Sequence, residues 1–198
     1  MIIFTPIIEI KGKEILPIPK YDGVKMSLEE FQNFEFDDPG YKYEWNNGIT
    51  ETENLMKDTE RFIIDNIIRK FILTNSFQNG NSILPEADVF LESLNKFRRP
   101  DACYFEKQQI RQPKVFSSVP LFIIEIISPS NSSVEVENKM KEYFLAGSKV
   151  VWHIYPSMKE VRIYYSPKQV RICTEGDLCD AGNIIMDFSI SVNELFGV

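Results

Sequence analysis

The chain alternates between two hydrophobic periods. Residues 62–72 place Phe62, Ile63, Ile67, Phe71 and Ile72 at helical spacing, with Asp65, Arg69 and Lys70 between them. That pattern predicts a long helix beginning near Asp58, with Gly80 on its C-terminal side. A second helix is predicted over residues 134–147, ending at Gly147. A short one follows Ser27-Leu28-Glu29-Glu30, which matches a capping box and predicts a helix over Leu28–Phe34. Between the helices the period shortens to two. Tyr41–Trp45 and Ile49–Glu53 read as strands joined at Asn46-Asn47-Gly48, a strong hairpin signal. Residues 82–92 and 99–106 read as strands around a turn near Leu94–Lys96, and residues 107–118 as a polar loop. Val150–Tyr155, Val161–Tyr165 and Val170–Cys173 read as further strands, with a last short element at Val192–Phe196. The N-terminal stretch MIIFTPIIEIKGKEI reads as an alternating strand extension over residues 1–25 rather than a signal peptide.

Pro120–Ile127 differs from the other strands because it is apolar on both faces. It reads as a central strand covered on both sides. Helices and strands in this order predict an α/β fold, a mixed central sheet flanked by helices. A chain of 198 residues with 43% hydrophobic and 26% charged residues suits one globular domain over 1–198. The apolar runs are far shorter than the ~20 residues of a membrane-spanning helix. Cys103, Cys173 and Cys179 show no CxxC spacing, which disfavours a zinc site or disulfide framework and suits a reduced, cytoplasmic setting.

Glu125 breaks the pattern of the central strand. A carboxylate among Leu121, Phe122, Ile123, Ile124, Ile126 and Ile127 is costly unless it is paired or holds a metal. Alternation puts it on the face of Ile123 and Ile127, opposite Ile124 and Ile126. Near the C-terminal end of a strand it is either a functional carboxylate or a strand-end Glu paired with an Arg. Asp101, after Arg98-Arg99-Pro100, is an ordinary turn residue taken alone. Beside Glu125 on an adjacent strand it becomes the second carboxylate of a site for a hard divalent cation. Lys139 shares a predicted helix face with Glu135 and Tyr143. It is either half of a solvated Glu–Lys pair or an ammonium aimed at the site. Glu44, between Tyr43 and Trp45, is either a surface position or part of a metal shell. His153, the only histidine, should face away from Trp152 and Ile154, and as a lone strand His it reads as structural. No GxSxG, GxGxxG or Walker A sequence is present, so serine-hydrolase and nucleotide-binding readings have no support.

Pro100-Asp101, then Glu125-Ile126-Ile127, then Lys139 resemble the PD-(D/E)XK restriction-endonuclease-like superfamily. The resemblance extends to its Uma-two family, a domain of unknown function grouped with restriction endonucleases. It runs from about Met26 to Pro156 or beyond. Its landmarks are Met26–Phe31, Tyr43-Glu44 with Gly48, Arg99-Pro100-Asp101, Ile124–Ser130, Lys139 with Tyr143, and Gly147 followed by Val151-Trp152. The resemblance implies a restriction-endonuclease-like fold and Mg²⁺- or Mn²⁺-dependent hydrolysis of nucleic acid, DNA first. It also implies a homodimer. Asp101 and Glu125, with the backbone carbonyl of Ile126, would be metal ligands, Glu44 a further acidic residue and Lys139 the catalytic lysine. The lysine usual two residues after the Glu is Ile127 here, and its role has moved to the following helix. The chain departs from the family at Asp58–Arg61, which lacks a His, at Glu135, which stands for an Asp, and at Tyr155, which also stands for an Asp. The alternative to an active nuclease is a catalytically silent nuclease-like fold used for binding or assembly.

The net charge of −7 disfavours nonspecific coating of nucleic acid. Residues 96–114 are an exception. There Lys96, Arg98, Arg99, Lys107, Arg111 and Lys114 outweigh Asp101 and Glu106, a local +4. Tyr164, Tyr165 and Phe196 read as exposed aromatics that could serve a dimer.

Overall fold

The computed structural model describes residues 18–111 and 118–197. These fall into two compact units, one ending at Leu55 and one starting at Met56. Of the strand extension expected over residues 1–25, residues 1–17 lie outside the described residues, as does the basic Lys114, and residues 18–25 form a turn with a single bridge from Lys25 to Ile49 instead of a strand.

In the first unit, α1 (Leu28–Asn33) begins with both halves of the capping box. Glu30 N–H donates to Ser27 Oγ at 3.2 Å, and Ser27 N–H donates to Glu30 Oε2 at 2.7 Å. β1 (Tyr41–Asn46) and β2 (Ile49–Asn54) form the expected antiparallel hairpin. Its turn takes positive φ at both Asn47 (49°) and Gly48 (95°), the reason an Asn-Gly pair belongs there.

The second unit is built on a six-stranded sheet of order β10-β9-β8-β7-β6-β3. The strands are β3 (Ser82–Pro85), β6 (Ala102–Phe105), β7 (Phe122–Ile126), β8 (Val150–Tyr155), β9 (Glu160–Ser166) and β10 (Gln169–Thr174). Only β7 and β8 run parallel among these pairs. A parallel pair needs a crossover, and α5 (Ser133–Ala146) supplies it. Gly147 ends that helix at φ 122°, a conformation a side chain rarely adopts.

Strand alternation sends β7 into two cores. Ile123 joins Cys103, Phe105 and Val151 against Met140 and Tyr143 of α5. Ile124 and Ile126 join Tyr104, Trp152 and Ile154 against Ile63, Ile64, Ile67 and Phe71 of α2 (Asp58–Phe71). The apolar run of β7 is therefore covered on both faces, as its composition predicts. The fold is α/β, a mixed sheet flanked by helices.

Several elements differ from expectation. The long helix stops at Phe71. Thr74 then caps α3 (Asn75–Gln78) by accepting from Phe77 N–H at 3.2 Å, so Gly80 follows α3 rather than α2. Residues 107–110, expected as loop, form α4 (Lys107–Ile110), where Gln109 accepts from Glu106 N–H at 2.8 Å. β4 (Val89–Leu91) pairs with β5 (Lys96–Arg98), and β11 (Leu178–Asp180) with β12 (Ser189–Ser191). Strands of three residues are too short to show a period. The last element, Val192–Phe196, is α6. The aromatics expected on the surface are not there. Tyr164 is buried in the α5-side core, while Tyr165 and Phe196 pack against the other.

Candidate active site

The site lies where β7 ends. The register Ala102↔Ile124, continued one step, sets Asp101 opposite Glu125. On the far side of β6 the register Pro85↔Ala102 likewise sets Glu86 opposite Asp101. On the other side of β7, Glu125 pairs with His153 and His153 with Arg162. Neighbours across a sheet share a face, so these residues form one polar row on the side that α5 covers.

Each member is held from a different direction. Pro100 fixes the backbone entering β6. Asp101 then turns its side chain along the sheet, and its Oδ2 accepts from Ile126 N–H at 2.7 Å. Its own carbonyl accepts from Glu86 N–H at 3.1 Å. Asp101 and Glu125 are 8% and 7% exposed, so two carboxylates side by side are largely withdrawn from water. Such a pair repels itself and is stable only where cations offset it.

Part of the offset comes from α5. Lys139 and Tyr143 are four residues apart and reach the same oxygen. Lys139 Nζ lies 3.8 Å from Glu125 Oε1, and Tyr143 O–H donates to it at 2.6 Å. The predicted shared helix face is correct, and the ion pair of Lys139 runs inward to Glu125. Glu135 is exposed. One residue before Tyr143, Glu142 accepts from Lys96 Nζ at 2.6 Å and from Arg98 Nη2 at 2.9 Å, tying α5 to β5. The helix is thus anchored beside the residues it presents to the site.

Those pairs alter the reading of the basic segment. Lys96 and Arg98 engage Glu142, and Arg99 engages Asp88 at 2.6 Å. Three of the cations counted toward a local +4 are therefore engaged within the fold, sharing the two carboxylates Glu142 and Asp88, while Lys107 and Arg111 remain exposed.

Glu44 lies in the first unit, on β1, and is buried rather than a surface residue. Asp101, Glu125 and Lys139 lie together in the second. His153 faces the α5 side, away from Trp152 and Ile154, as alternation predicts. It is 1% exposed, its Nδ1 is buried without a hydrogen-bond partner, and it packs edge-on against Tyr164 at 4.9 Å. Burial first, then the charges of Arg162 and Lys139, pulls its imidazole down to about 4. It is neutral near pH 7, and the one N–H it keeps is too weak an acid for acid catalysis there.

Sequence reasoning missed the bond from Tyr143 to Glu125 and the presence of Glu86. Tyr143 was legible as a face-mate of Lys139, but its target depends on how α5 packs. Glu86 takes φ +46° and has a buried Oε1 without a partner. The Pro85-Glu86 step at a strand end was its only sequence signal.

Among the described residues, no three His, Cys, Asp or Glu side chains gather to hold a metal ion. The oxygen donors that the register sets on neighbouring strand positions, Asp101 and Glu125, suit a cation that takes one or two carboxylates and keeps its waters, the habit of Mg²⁺. No helix among the described residues is long and apolar enough to cross a membrane.

A crystal structure of a putative nuclease belonging to DUF820 from Anabaena variabilis superposes with a TM-score of 0.74 at 18% identity, covering 87% of this chain and 98% of that one. At that identity the likeness establishes the fold. No curated protein matches the chain. The profile of the Uma2 family, described as "Putative restriction endonuclease", matches residues 28–193, which takes in Glu44, Asp101, Glu125 and Lys139. The chain belongs to the Uma2 family.

Proposed function

We propose that this protein is a metal-dependent endonuclease of the PD-(D/E)XK type acting on nucleic acid, with DNA as its first substrate. The observation that carries this reading is the meeting of Asp101, Glu125 and Lys139 at one end of the sheet in a chain of the Uma2 family. Asp101 and Glu125 would hold Mg²⁺ or Mn²⁺. The Ile126 carbonyl would be a third donor, because a strand residue turns its N–H and C=O to the same side and the N–H of Ile126 points to Asp101. A cation held there by Asp101 and Glu125 would supply polarisation of the phosphoryl oxygen and a more acidic water. Lys139 orients the attacking water and offsets charge developing on the phosphate. Glu44, buried in β1 of the first unit, is proposed as a further acidic residue of the nuclease.

The test is cleavage of supercoiled plasmid and single-stranded DNA with Mg²⁺ or Mn²⁺, comparing wild type with Glu125→Gln. Metal-dependent nicking by wild type that falls at least ~100-fold in the variant is expected, since loss of one ligand disables transition-state charge stabilisation. No cleavage by folded wild type favours the silent binding module. Equal cleavage by both proteins points to another site or a contaminant.

A further inference from the structure

Resting on that reading, we infer that Tyr143 is a positioning residue that makes the site prefer Mg²⁺ over Ca²⁺. Glu125 receives two groups from α5 on one oxygen, the Tyr143 hydroxyl at 2.6 Å and the Lys139 ammonium at 3.8 Å. The phenol is the nearer and is fully buried, between Ile123, Cys103 and Val151 in the core beneath α5. Its ring cannot swing away without opening that core. The bond therefore fixes the rotation of the Glu125 carboxylate as firmly as the helix itself is fixed.

The consequence follows from the coordination habits of the two cations. Ca²⁺ takes six to eight oxygens in a flexible shell and accepts carboxylates through both oxygens at once. Mg²⁺ is smaller, demands near-octahedral geometry and takes carboxylates through one oxygen. A carboxylate whose Oε1 is engaged by a phenol and an ammonium is poor at two-oxygen chelation and suited to single-oxygen contact. Groups that orient a metal ligand in this way change metal affinity by ~10–100-fold when removed. Tyr143 touches neither substrate nor metal in this scheme and acts only through Glu125.

The experiment is calorimetric titration of Mg²⁺ and of Ca²⁺ into the full chain, for wild type, Tyr143→Phe, Tyr143→Met and Glu125→Gln. Melting temperatures are measured without metal. Phe keeps the ring and Met refills the core space, so the two variants lack the donor but pack differently. The expected result is Mg²⁺ affinity about tenfold weaker in both Tyr143 variants, with Ca²⁺ affinity little changed. The preference between the ions then narrows by about the same factor, whatever each variant does to the melting temperature. If both affinities fall together and follow the melting temperature, Tyr143 is a packing residue and the inference is wrong. Unchanged affinities for both ions in the Tyr143 variants also overturn it. Wild type that binds neither ion, or Glu125→Gln that binds Mg²⁺ as wild type does, removes the metal-site reading itself and this inference with it.

Discussion

At the scale of single residues, the site is a balance of charges withdrawn from water. Glu125 is stable in the central strand because a phenol and an ammonium meet its Oε1. Lys139 and Tyr143 approach one atom but have separable tasks. Lys139→Met removes the cation without touching the Tyr143 bond. It should lower kcat by ~100-fold or more, because stabilisation of developing charge is lost. The Mg²⁺ concentration at half-maximal rate should stay the same or fall, since a positive neighbour is gone. A rise of tenfold would mean that Lys139 serves metal binding instead. His153 illustrates the opposite case, a polar group whose Nδ1 has no partner. Replacing an unpaired buried polar group by an apolar one removes a desolvation cost of about 1–3 kcal/mol. His153→Leu should therefore melt at the same temperature as wild type or a few degrees higher. A clear loss of stability would show that the imidazole contributes a bond in solution.

At the scale of elements, α5 does most to shape the site. One turn of it sends Lys139 and Tyr143 to Glu125 and Glu142 to Lys96 and Arg98. Breaking a buried ion pair by removing one partner costs about 3–5 kcal/mol, because the other charge stays behind. Glu142 and Lys96 are only part-buried, so Glu142→Gln should lower stability by less, about 1–3 kcal/mol in denaturant unfolding, and disturb activity only through the seating of α5. The short α6 is held otherwise. Glu194 completes a capping box with Ser191 and pairs with Lys70 of α2 at 3.1 Å. The Ser191 N–H first, then Lys70, holds its carboxyl down at about 2, below the ordinary 4.5. The fold therefore favours the ionised form. That contribution is complete above pH 4.5 and is lost as pH falls through 4.5 toward 2. The side chain is 53% exposed, so solvent screening leaves roughly 1 kcal/mol or less. Glu194→Gln should flatten the fall in stability over that window, and an unchanged slope would remove Glu194 from the account.

At the scale of the whole molecule, charge and sheet register set different things. The net charge of −7 opposes approach to phosphates, and three cations of the basic segment, Lys96, Arg98 and Arg99, are engaged in internal pairs. Binding to DNA should be weak without a divalent cation and fall further with salt, the slope of log K against log salt reporting few phosphate contacts. A fluorescence-anisotropy titration showing tight metal-free binding at physiological salt would contradict this.

Much of this architecture was readable from the chain because its signals are local. The capping box at Ser27, the Asn47-Gly48 turn, the stop at Gly147 and the doubly apolar β7 each follow from a few neighbouring residues. So does the suspicion attached to Glu125, since an acid inside an apolar run is anomalous wherever the strand goes. The row from Glu86 through Asp101, Glu125 and His153 to Arg162 is not local. It exists only because five strands, distant along the chain, adopt a particular register. The same holds for the burial of Tyr164 and for the pairing of Lys96 and Arg98, whose partner Glu142 lies 46 and 44 residues away. By itself the sequence determined where the long helices, the hairpin and the central strand form and which residues are chemically out of place. Tertiary structure alone decided which of those residues meet, because strand register and helix docking are settled by packing over the whole core rather than by any short stretch of chain.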